Sequence, residues 1–97
     1  MTQTLLSLFP DPKDLLALAP EELGGVLLEL APAVAQRDGM FTLTSFVSPL
    51  FPSAGNGYSL NVRRPVVLAI AEAVSWLVSQ GRIIDDPEQP ASWLINV

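Results

Sequence analysis

The sequence predicts a mainly helical α+β fold closed by a C-terminal β-hairpin, and three observations point to it. Prolines and capping residues cut the first half into short helices. Residues 61–80 carry the apolar spacing of a long, one-sided helix. Two apolar runs follow, at 82–84 and 92–96, joined by the turn-rich stretch Asp85-Asp86-Pro87-Glu88-Gln89-Pro90.

Taken in order, the elements begin with Asp11-Pro12-Lys13-Asp14. Asp11 suits a helix N-cap and Pro12 the first helical position. Leu15, Leu16 and Leu18 supply the apolar turn, and Pro20 limits this helix to about two turns. Pro20-Glu21-Glu22 opens a second helix, with its carboxylates at the positive end of the helix dipole. Leu23, Val26, Leu27 and Leu30 share one face of it. Gly24 and Gly25 each weaken a helix by about 1 kcal/mol relative to Ala, but glycine also lets a neighbouring helix approach closely. Pro32 is expected to end or kink the helix near residues 30–31, and Gly39 to mark its exit.

Residues 40–47 alternate Phe41 and Leu43 with Thr42 and Thr44, the pattern of a short strand. Ser48-Pro49 starts a brief helical turn carrying Leu50 and Phe51, which Pro52 stops. Residues 53–57, Ser-Ala-Gly-Asn-Gly, read as a loop. Asn61 is the expected N-cap of the long helix. Val66, Val67, Ile70, Ala73, Val74, Leu77 and Val78 form its apolar stripe, and Gly81 is placed to close it in the left-handed conformation. The order is helix, helix, short strand, helical turn, long helix, hairpin: a winged-helix-like module over residues 1–97, either a minimal domain or a piece of a longer protein.

Composition narrows the function. The 97 residues suit one domain, 49% of them are hydrophobic, and only 15% are charged. Such a chain is not disordered by composition. Neither cysteine nor histidine occurs, so disulfides, thiolate or imidazole metal sites and Cys–His nucleophile pairs are excluded. The carboxylate pairs Glu21–Glu22 and Asp85–Asp86 lack a neighbouring base, and adjacent helix residues do not face each other. Asp85, Asp86 and Glu88 lack the spacing of a calcium loop. No catalysis, cofactor or metal is expected. No run reaches the roughly 18–20 apolar residues that span a bilayer, and residues 1–10 lack the basic start of a signal peptide. A cytoplasmic location without membrane association is the expectation.

Asp14-Leu15-Leu16-Ala17-Leu18-Ala19-Pro20-Glu21-Glu22-Leu23-Gly24 carries a further signal. With it go Ala71-Glu72-Ala73-Val74-Ser75-Trp76-Leu77, Gly81-Arg82-Ile83-Ile84, and Asp86-Pro87-Glu88-Gln89-Pro90-Ala91-Ser92-Trp93. Together, over residues 14–96, they resemble the winged-helix-like N-terminal module of a group of uncharacterised, abortive-infection-associated bacterial proteins. There the module precedes a separate C-terminal domain. The resemblance implies a winged-helix-like fold within a bacterial regulatory or defence protein. The chain departs from the pattern by lacking the basic residues that follow the last strand.

Two binding surfaces are therefore in view. For a protein partner or self-association, the anchors expected are Leu68, Trp76, Trp93 and Tyr58, large side chains that do not all fit one buried stripe. For DNA, the alternative, the readers expected are Asn61, Arg63 and Arg64 at the start of the long helix and Arg82 at the base of the wing. DNA is disfavoured by the net charge of −5, with five basic against ten acidic residues, and by the acids of the wing tip. Protein docking is the leading expectation. The plainer reading of either tryptophan is that it completes the core, with Trp76 against Trp93.

Overall fold

Asp11 and Thr4 show how short helices start here. In the computed structural model, which describes residues 4–35, 40–52, 57–88 and 92–95, the Asp11 carboxylate accepts from the Lys13 N–H at 2.9 Å, and α2 runs Pro12–Leu16 behind it. Thr4 and Ser7 form a reciprocal capping box, at 2.9 and 3.1 Å, that starts α1, Leu5–Leu8. The sequence reading had only an apolar run there. The expected loop at 53–57, Gly57 apart, lies outside the described residues. So do Gly39, Gln89, Pro90 and Asn96.

α3 spans Pro20–Val34. Its first turn is fastened by the Glu22 carboxylate, which accepts from the Ala19 N–H at 2.9 Å. The helix does not end before Pro32 but runs on to Val34. Pro32 is exposed while Ala31 beside it is buried, so the ring faces solvent and the last turn continues around it.

The expected strand over 40–47 is shorter. β1 covers Met40–Thr42, and α4 takes over at Leu43–Val47. Thr42 is the N-cap: its Oγ1 accepts from the Ser45 N–H at 3.3 Å, and Ser45 Oγ accepts from the Thr42 N–H at 3.1 Å. A capping box overrides the alternation because it satisfies donors that a strand would leave open at a sheet edge. A 3-10 turn at Ser48–Leu50 follows as expected.

α5 spans Arg63–Ser79. Asn61 does not cap it. A 3-10 turn over Leu60–Val62 leads in, and the N-cap position belongs to Val62, with no side-chain bond. At the other end, Gly81 adopts φ +72°. Its N–H donates to Val78 O and the Arg82 N–H to Leu77 O, both at 3.0 Å, a Schellman closure.

The hairpin is present, with β2 at Ile83–Asp85 and β3 at Ser92–Ile95. It does not stand alone: β1 pairs with the far side of β3, giving a three-stranded antiparallel sheet in the order β1-β3-β2. Among the described residues the fold is thus mostly helical α+β, five helices with one antiparallel sheet, in a winged-helix-like arrangement. The radius of gyration, 12.8 Å, matches the roughly 12.5 Å of a compact domain of this length.

The core lies between α3, α5 and the sheet. Leu23, Leu27, Val66, Ile70, Val74, Leu77 and Ile83 are all almost fully buried, each burial contributing about 1.5–3 kcal/mol. Phe41 stands edge-on to Phe46, ring centroids 5.4 Å apart, and lies 6.0 Å from Trp93.

Candidate docking surface

The outward face of α5 follows from its inward one. Val66, Ile70, Ala73, Val74 and Leu77 point into the core. At 100° per residue, Arg64, Leu68, Glu72, Ser75 and Ser79 form the opposite stripe, and all five are exposed. Leu68, 49% exposed, sits in that stripe between Arg64 one turn before and Glu72 one turn after. Leu60, in the turn leading into the helix, is 74% exposed.

The other expected anchors fare differently. Trp76 lies on the flank of α5, half-buried, and packs against Gly24 of α3. Trp93 is half-buried on the core side of the sheet, and its aromatic neighbour is Phe41 rather than Trp76. Tyr58 is not a surface anchor. It is buried, stands edge-on to Phe51 at 5.9 Å, and donates its hydroxyl hydrogen bond to the Phe9 carbonyl. Burial, with smaller contributions from the charges of Asp11 and Asp14, pushes its pKa above the usual 10.0. Only Leu68 among the four stands clear of the core.

The cations expected to read DNA are exposed but not gathered. Arg63 and Arg64 begin α5, beside exposed Asn61, whereas Arg82 lies past its C-terminus. A 17-residue helix is about 25 Å long, so the two basic sites are at opposite ends, with Leu68 and Glu72 between them. At the wing, Asp85 and Glu88 are exposed, while Asp86 turns its carboxylate to the Glu88 N–H at 2.9 Å. Asp86 therefore fixes the start of the turn.

Ile84, 46% exposed on β2, was not among the expected anchors. The signal was present: in a strand Ile83 and Ile84 must face opposite sides, so one of two adjacent isoleucines had to point outward. Among the described residues no group of three acidic side chains is gathered closely enough to hold a metal ion, and no helix is long and apolar enough to cross a membrane. Compared with known proteins, the chain matches no family model, no curated protein and no solved structure.

Proposed function

We propose that the chain is a non-enzymatic protein-docking module that works through the outward face of α5 and the hairpin. The observation that carries this reading is Leu68, a large apolar side chain half-exposed in the middle of the stripe that a winged-helix domain would turn toward a partner. An apolar anchor with a polar rim of Arg64 and Glu72 is the anatomy of a protein interface. Phosphate contacts call for cations in a continuous track, and here an acid and a leucine separate Arg63 and Arg64 from Arg82. The resemblance to the abortive-infection-associated module supports a setting in a bacterial regulatory or defence system.

Affinity capture with the wild-type chain and with Leu68→Glu tests the reading, each retained protein being purified and titrated back. The expected result is a direct partner whose affinity falls at least about tenfold with Leu68→Glu, a hot-spot effect. A contrary result would be salt-dependent retardation of duplex DNA that disappears in Arg63→Ala/Arg64→Ala and is indifferent to Leu68→Glu. That outcome would make the module a DNA binder.

A further inference from the structure

Arg64, Leu68 and Glu72 stand four residues apart on the exposed side of α5. They form one row, with about 6 Å along the axis from each to the next. From the N-terminus the row reads positive, apolar, negative. In the reverse direction it reads negative, apolar, positive. A second copy laid antiparallel therefore offers the complement of every position. Within one chain the cation and the acid are about 12 Å apart along the helix, with Leu68 between them. Among the described residues no ion pair engages either of them.

The residues beside the row leave room for a second helix. Pro65 and Ala71 flank Leu68 at three residues on either side, the first exposed and the second half-buried. Neither has a side chain long enough to hold two helix axes apart. Ser75, further along the exposed stripe, is also small. A two-fold axis at Leu68 would bring Leu68 against Leu68 of the other copy. Pro65 would then face Ala71, and each Arg64 would face a Glu72. At the usual axis separation of about 8–10 Å, those two long side chains span the gap. Arg63 stays out of the contact, because five residues turn it about 140° round the helix from Leu68. An unrelated helix would have to bring a row of this order; a second copy carries it already.

We propose that two copies of this chain associate through α5, antiparallel about a two-fold axis at Leu68, each Arg64 pairing with Glu72 of the other copy. This deepens the docking reading by naming the partner of the same face, and it rests on that reading. Isologous pairing uses one patch twice and closes the assembly at two copies. The exposed ion pairs fix direction and register more than they add affinity. The net charge of −5 on each chain opposes association. The dimer is therefore expected to be weak, with a dissociation constant of roughly 10 to 500 µM.

Sedimentation equilibrium of the full chain over that range is the test. The mass should rise from that of one chain to that of two. Leu68→Glu puts two carboxylates on the axis and should weaken dimerisation at least about tenfold. Arg64→Glu and Glu72→Arg each turn both ion pairs into like-charge pairs and should weaken it as much. An equimolar mixture of these two variants should recover the dimer. In that mixed dimer the two substituted side chains meet as one opposite-charge pair, and the unsubstituted Arg64 and Glu72 meet as the other. All three positions are exposed, and an acid near the start of a helix favours it, so circular dichroism should show native folds. Should Glu72→Arg lose its fold, Leu68→Glu and Arg64→Glu decide the matter. A monomer at every concentration overturns the proposal and leaves docking of another protein through α5 in place. A dimer indifferent to Leu68→Glu or to Arg64→Glu overturns it as well. So does a dimer that the mixture of folded charge variants fails to recover. Failure of the docking reading itself shows separately, as DNA retardation that Leu68→Glu leaves unchanged.

Discussion

Trp76 of α5 lies so close over Gly24 of α3 that a methyl group at position 24 would stand 2.8 Å from the indole Cε3. Nothing lies within 4 Å of the same position at Gly25. The two adjacent glycines therefore have different roles: one lets two helices touch, and the other faces solvent. Gly24→Ala should destabilise the fold by about 1–2 kcal/mol, because overpacking against a rigid ring outweighs the gain in helix propensity. Gly25→Ala should stabilise it by up to about 1 kcal/mol. Urea denaturation of both variants checks the opposite signs.

Gly81 also has open space around its Cβ position, yet its substitution should cost stability. At φ +72° any other residue is strained by the left-handed conformation, by about 1–2 kcal/mol for Ala. This turn carries the chain from α5 into β2. Gly81→Ala should therefore lower the urea midpoint where Gly25→Ala raises it, although neither added methyl group meets a neighbour.

Tyr58 ties the segment after α1 to the middle of the chain through its bond to the Phe9 carbonyl. Tyr58→Phe removes the donor and should cost about 1 kcal/mol. Because burial raises the folded-state pKa above 10.0, the neutral phenol is the form the fold prefers. Its contribution is complete below that pH and is lost as pH rises through the raised folded value. Thermal melts at roughly pH 8 and roughly pH 11 should show a smaller alkaline loss in Tyr58→Phe than in the wild type.

Much of this fold was legible where one physical cue dominated. Asp11 before Pro12, the apolar stripe of α5 and Gly81 after it each specified a backbone state locally, and each is found. The cues failed where two competed. Pro32 reads as a helix breaker, but the solvent-facing side of the last turn tolerates its ring. Asn61 is a good capping residue, but the 3-10 turn at Leu60–Val62 moves the helix start past it. For the binding surface, periodicity alone placed Leu68 outside. It could not tell that Tyr58 would be drawn into the core, since that burial depends on a partner 49 residues away in sequence. The pairing of β1 with β3 is equally non-local.

Thr42 is where strand and helix signals meet most directly, and it yields the last prediction. Its backbone ends β1, and its side chain starts α4 by exchanging hydrogen bonds with Ser45. Thr42→Val keeps the β-branched shape that suits the strand and removes only the oxygen. It should cost about 1 kcal/mol, the usual value of an N-cap. Ser45→Ala removes the acceptor for the outward Thr42 N–H and should cost a similar amount. Because both changes break one reciprocal unit, the double variant should cost clearly less than the two single changes added together. Additive losses in urea denaturation would mean that the two side chains act separately, and that the strand ends at Thr42 for a reason other than the cap.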